Sequence, residues 1–82
     1  MAYVSSVEVS ESREISTRHP TDVEMVVRFG EHDGRRIVQL DSYGSKERQD
    51  TDTVSQTFQL DEKAAKALCG ALGRHFSFKV GV

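Results

Sequence analysis

Two alternating segments joined by a turn occupy residues 23–43, VEMVVRFGEHDGRRIVQLDSY. In the first segment, apolar residues recur at every second position from Val23 to Phe29, so they share one face of a β-strand. Asp33 and Gly34 then form a dipeptide that is favoured in hairpin turns, because both residues tolerate positive φ. The pattern predicts a β-hairpin.

The return strand, residues 35–43, carries apolar side chains on both faces, which is typical of a central strand. Its two faces hold Val38 with Leu40, and Ile37 with Tyr43. A long polar stretch follows and favours a functional or solvated connection. Residues 53–60 alternate again, which predicts a further strand. Its apolar face holds Val54, Phe58 and Leu60 with Gln56, and its polar face holds Thr53, Ser55, Thr57 and Gln59.

A helix is predicted after this strand. Asp61 is a favourable N-cap residue, and apolar residues recur at helical spacing as far as Leu72. Gly73 is suited to end the helix in the left-handed conformation. Phe76, Phe78 and Val80 alternate with polar residues, so a short final strand competes with a longer helix.

The N-terminal residues add a weaker strand prediction between Tyr3 and Glu14, and Pro20 favours a turn after it. The sequence therefore predicts one α+β domain over residues 1–82, with an antiparallel sheet of about four strands in β-β-β-β-α order and one C-terminal helix packed on it. The expected core consists of Val23, Met25, Val27, Phe29, Val38, Leu40, Val54, Phe58, Leu60, Leu68 and Leu72. So small a core favours a homodimer.

Composition limits the class of protein. The chain has 82 residues, of which 37% are hydrophobic and 29% are charged, so a single folded domain is expected. No apolar run is long enough to span a bilayer, and no basic segment precedes an apolar one at the N-terminus. The single cysteine, Cys69, has no partner for an intrachain disulfide, which favours a reducing, cytoplasmic location.

Charge is unevenly distributed. The formal net charge is −2, but residues 1–34 carry seven acidic and three basic residues, whereas residues 35–82 carry eight basic and six acidic ones. The asymmetry fits either an anion-binding face or mutual neutralisation between neighbouring strands. A near-neutral total does not by itself indicate a nucleic-acid or membrane-surface protein.

Residues that would indicate an enzyme do not form a recognisable motif. Cys69 lies in the predicted helix, where it is expected to be a small buried hydrophobic residue. The three histidines, His19, His32 and His75, have no partner at metal-ligand spacing. Gly44-Ser45-Lys46 lacks the glycine-rich pattern of a phosphate loop. The sequence predicts no enzyme, no cofactor and no metal site.

A cluster of basic residues with one aromatic near a sheet edge is the remaining candidate site. Such a set is the minimum needed to pair phosphates and stack a base, although a solvated hairpin tip would look the same. The candidate nucleic-acid-binding residues are Arg35, Arg36, Tyr43, Lys46 and Arg48.

The order of elements resembles that of the positive cofactor four-like family of single-stranded-DNA-binding transcriptional coactivators. The similarity runs from about Val26 to Leu72 and includes the turn at 33–35, the strand at 37–43 and the segment Phe58-Gln59-Leu60-Asp61-Glu62 that leads into the helix. The resemblance implies a twisted four-stranded sheet with a helix, dimerisation through that helix, and single-strand binding by basic and aromatic residues on the sheet.

Two functional hypotheses follow. The first is a small non-enzymatic regulatory module, a homodimer, that binds single-stranded nucleic acid through the candidate residues. The alternative is a protein-interaction module, such as a small phage or bacterial inhibitor or adaptor. It would use the sheet face or the acidic N-terminal residues Glu8, Glu11 and Glu14 to contact a basic partner.

Overall fold

A computed structural model describes residues 1–45 and 54–81 of the chain. The elements are β1 (Ala2–Val4), β2 (Val23–His32), β3 (Arg35–Ser45), β4 (Val54–Leu60) and α1 (Glu62–Phe76). They form one four-stranded sheet in the order β1-β4-β3-β2, with α1 packed on β3 and β4. The predicted α+β fold with β-β-β-β-α order is confirmed. No helix in the described ranges is long and apolar enough to cross a membrane.

The β2–β3 hairpin forms where the sequence predicts it. Asp33 and Gly34 adopt positive φ values of 51° and 77°, which the tight turn requires. Val27 pairs with Leu40 and Phe29 with Val38 across the hairpin, and β3 pairs antiparallel with β4 on its other side. Strand β3 is therefore central, as expected from its two apolar faces.

The N-terminal strand differs from the prediction. It is confined to Ala2–Val4 and pairs parallel with β4, so the sheet is mixed rather than wholly antiparallel. The alternating residues Val7 and Val9, which suggested a strand, belong to no regular element. Three residues are too few to show an alternating pattern, so the formation of β1 depends on its pairing with β4.

The helix is longer than predicted. It continues past Gly73 to Phe76, and Ser77 adopts the left-handed cap conformation instead, with φ 59°. Gly73 is buried, and a Cβ at this position would meet Val80 and the carbonyl oxygen of Phe78. The glycine therefore allows the C-terminal tail to approach the helix, and residues 77–80 form no final strand.

The core is smaller than predicted. Among the described hydrophobic residues, only Leu60 and Ala64 are fully buried. Val38, Leu40 and Leu68 are half-buried, because they lie where α1 crosses the sheet. The remaining expected core residues are exposed, namely Val23, Met25, Val27, Phe29, Val54, Phe58 and Leu72. Cys69, expected to be buried, is exposed as well.

Candidate polar sheet face

The sheet has two chemically different faces. Residues paired across strands share a face, and one row consists of Tyr3, Gln59, Gln39 and Arg28, one residue from each strand. The next row along this side contains Val26, Asp41 and Thr57. We call this side the polar face. The other side, with Leu60 and Val38, packs against α1 and is called the apolar face.

Asp41 is the centre of the polar face and is 2% exposed. Its carboxylate accepts hydrogen bonds from Thr57 Oγ1 at 2.7 Å, from Arg28 Nε at 2.9 Å and from Gln39 Nε2 at 3.1 Å. These donors, with Thr57 and Gln39 contributing most and Arg28 adding to them, lower the pKa of Asp41. Asp41 is therefore a satisfied, ionised anchor for three strands.

Arg28 is held in place by two acceptors. Besides its bond to Asp41, its Nη2 donates to the Tyr43 hydroxyl at 2.6 Å. Asp41 and then Tyr43 raise the pKa of Arg28 above its ordinary value, so the guanidinium remains charged. Its side chain is still 55% exposed, so the charge is available on the surface.

The two glutamines extend the network toward the open end of the face. Gln59 Nε2 donates to Gln39 Oε1 at 3.0 Å, and Gln39 in turn donates to Asp41. Among the described residues, no buried side-chain nitrogen or oxygen lacks a hydrogen-bond partner. The amides are thus oriented by the protein before any ligand binds.

A shallow depression of about 940 Å³ lies over this row. Its lining includes Tyr3, Arg28, Arg35, Gln39 and Gln59. Tyr3 is 57% exposed, so its ring is accessible on this side of the molecule. The depression combines an aromatic ring, two amides and two guanidinium groups on an uncovered surface, and the acidic residues Glu31 and Asp33 also line it.

The structure separates the residues predicted from sequence. Strand alternation places Arg35 on the polar face, where it lines the depression, and Arg36 on the apolar face. Arg35 lies at the end of β3 and also lines a second depression with Arg36 and Lys63 of the first turn of α1. Tyr43 lies on the polar face but is about eight residues, or roughly 26 Å, along β3 from Arg35. Lys46 and Arg48 lie outside the described residues.

The sequence interpretation missed the polar row itself. Arg28, Gln39 and Gln59 each occupy an outward position of an alternating strand, and this period-two pattern of polar residues was the available signal. Tyr3 had no comparable signal, because β1 is too short. Aligning the row requires the strand register, which the sequence does not give.

Neither comparison with known proteins nor a search for grouped metal-binding side chains assigns a function. No protein-family model, curated protein or solved structure matches the chain. Within residues 1–45 and 54–81, no three His, Cys, Asp or Glu side chains are grouped closely enough to hold a metal ion.

Proposed function

We propose that this domain is a small non-enzymatic binding module that holds single-stranded nucleic acid on the polar face of its sheet. The observation that supports the proposal is the row Tyr3, Gln59, Gln39 and Arg28, which crosses all four strands on the side that α1 leaves uncovered. A single strand laid on a sheet needs a stacking platform, oriented hydrogen-bonding groups and cations for its phosphates. This face offers each of the three.

The roles divide according to what each side chain already contacts. The accessible ring of Tyr3 is suited to stack on a base, and the exposed Arg35 is suited to pair with a phosphate. Gln39 and Gln59 supply amides at fixed positions for base edges. Arg28 and Tyr43 bond to each other, so they form the floor and contribute mainly charge and shape.

The experiment is a salt titration with a fluorescently labelled oligo(dT), followed by anisotropy. Because only a few cations line the face, the slope of log affinity against log salt is expected near −1 to −2, as for roughly two phosphates in a single strand. Arg35→Ala should reduce affinity and flatten the slope. Arg36→Ala is the matched control, since it removes an adjacent charge of the same type that alternation along β3 assigns to the other face.

Tyr3→Ala should weaken binding by roughly 5- to 100-fold, as expected for the loss of one stacked base. Equal effects of the two arginine variants, or no salt-dependent binding by the native sequence, would contradict the proposal. A labelled duplex serves as a second control, because stacked and paired bases cannot lie on Tyr3.

A protein-interaction module is the second candidate. The observation that favours it is the open edge of β2, whose neighbouring apolar side chains are exposed. Pull-down with and without nuclease separates the two functions, since a partner that survives nuclease treatment does not depend on nucleic acid. The homodimer expected from the small core is part of the proposed function.

A further inference from the structure

Strand β2 lies at the edge of the sheet. It has ten residues and, in the described part of the chain, pairs only with β3. Its other side therefore presents unpaired main-chain N–H and C=O groups, which form a template for another strand. The opposite edge strand, β1, has only three residues. The long free edge makes β2 the natural site for sheet extension.

The apolar side chains beside this edge are uncovered. Met25, Val27 and Phe29 alternate along the apolar face, and Val23 continues the spacing of two beyond an irregularity in the pairing with β3; between 40% and 85% of each is exposed. Single exposed hydrophobic residues are ordinary, but consecutive ones on one face form a continuous strip. The strip accounts for four of the fourteen large hydrophobic residues that are exposed in the described part of the chain.

We propose that a second copy of this chain covers the strip, with the two β2 strands paired antiparallel and Val26 on the two-fold axis. In this register Met25 faces Val27 of the second copy, and Val23 faces its Phe29. On the polar face, Glu24 faces Arg28 of the second copy, so the symmetry creates two opposite-charge pairs. The strand sequence is thus complementary to itself on both faces.

Neighbouring registers lose this match. Moving the axis to Val27 places Val23 opposite Glu31 of the second copy, and moving it to Met25 places Phe29 opposite Thr21. Both shifts also remove Glu24 from Arg28. The pairing is compatible with the existing bonds of Arg28, because a guanidinium has five N–H donors and those to Asp41 and Tyr43 use two.

The proposed pairing goes beyond nucleic-acid binding and does not depend on it. A two-fold axis perpendicular to the sheet keeps both polar faces on one side and both helices on the other. The two strips then lie side by side on the sheet between the helices, where cross-strand contacts remove part of each strip from water. The two depressions would also share one continuous surface.

Cysteine cross-linking tests the register directly. In a Cys69→Ser background, needed because Cys69 is exposed, Val26→Cys places two thiols opposite each other across the axis. Directly opposed Cα atoms are about 4.5–5.5 Å apart, within the range of a disulfide. Mild oxidation of a dilute sample should therefore give a covalent dimer on a non-reducing gel.

Gly30→Cys is the matched control. Gly30 lies on the same strand and face, and its Cβ would enter open space. The two Gly30 residues would be about eight residues apart, or roughly 26 Å, so no disulfide is expected. Equal cross-linking at both positions, or none at residue 26, would overturn the register.

Sedimentation of the native sequence measures the association itself, and a dimer is expected. Val27→Lys should weaken it at least ~10-fold, because each strand then brings a charge into the partner's apolar strip. Val27 is half exposed in one copy, so the circular dichroism of the variant should be unchanged. Glu24→Arg, which opposes two like charges, should also weaken the dimer, and more at low salt than at high salt.

A monomeric native chain, or a dimer that withstands Val27→Lys, would refute the proposal, as would stable pairing of β2 with an unrelated protein in place of the second copy. Nucleic-acid binding is measured separately from dimer formation. Val27→Lys leaves Tyr3 and Arg35 in place, so each monomer of that variant should still bind oligo(dT) if the proposed function is correct.

Discussion

The two faces of the sheet differ in how completely one chain hydrogen-bonds or buries their side chains. On the polar face, Asp41 is buried and fully hydrogen-bonded. On the apolar face, Leu60 is 4% exposed, while Phe29 in the same cross-strand row is 85% exposed. A buried carboxylate must find its donors within the fold, because leaving it without them is costly. An apolar side chain can remain exposed until a partner covers it.

The position of α1 explains the unequal cover. The helix begins directly after Asp61, at the end of β4, so its axis stays above β4 and its neighbour β3. A helix is about 10 Å wide and strands lie about 4.8 Å apart, so one helix covers about two strands. The apolar side of β2 is left open, and the difference between Leu60 and Phe29 follows from geometry.

The largest effect is expected for Leu60→Ala, which opens a cavity beneath the helix. We expect the free energy of unfolding in urea to fall by about 2–5 kcal/mol. Phe29→Ala is the control in the same row and should cost at most about 0.5 kcal/mol in dilute, monomeric protein, because the ring is exposed. Equal losses would mean that the helix does not divide the apolar face in this way.

Thr57→Val tests the polar face and should have the next largest effect. The substitution keeps the shape of the side chain but removes the hydroxyl that donates to Asp41 at 2.7 Å. We expect a loss of about 1.5–3 kcal/mol in the free energy of unfolding, as for a hydrogen bond to a charged group. Thr57→Ser retains the donor and should be less destabilising. A valine variant as stable as the serine variant would contradict the assigned role of the hydroxyl.

Local pattern was sufficient for the elements that define both faces. Period-two alternation predicted β2, β3 and β4, and the N-cap role of Asp61 is confirmed by its acceptance of a hydrogen bond from the Ala64 N–H at 2.8 Å. The alternation also predicted Thr57 and Gln59 on the polar face of their strand, and in the structure they pair with Asp41 and Gln39 on that face. These features depend on neighbours in the chain, which is why a single sequence reveals them.

Features set by distant contacts were not predictable in the same way. Strand β1 exists because it pairs with β4, and the helix passes Gly73 because the tail packs there. The candidate site had the same difficulty. Arg35 and Arg36 alternate between the two faces of β3, and Tyr43 lies eight residues further along the strand, so clustering along the chain did not mean one shared surface.

Acid titration should show the contribution of Asp41 to the free energy of unfolding. We expect a smaller effect than for Thr57→Val, since protonation leaves both Asp41 oxygens in place. The pKa of Asp41 is lower in the folded than in the unfolded chain. Its contribution to stability is therefore complete above the unfolded-state value, near 4, and is lost as the pH falls through the lower folded-state value. Urea unfolding from pH 6 to 2 should show a shallower fall for Asp41→Asn than for the native sequence. Parallel curves would exclude Asp41 as a source of the acid sensitivity.

The smallest predicted change is a gain, from Ser77→Gly at the end of the helix. Ser77 has φ 59° and ψ 46°, a left-handed conformation in which a Cβ is unfavourable. Its N–H and that of Phe78 both donate to the Gly73 carbonyl, so the backbone retains this shape whichever residue is present. Glycine should raise the free energy of unfolding by about 0.5–1 kcal/mol. Ser77→Ala keeps the Cβ and should give no gain, which separates relief of backbone strain from loss of the hydroxyl. Because this cap lies far from β2, the stabilisation should be the same in monomer and dimer, and a gain seen only in the dimer would place the helix end in the interface.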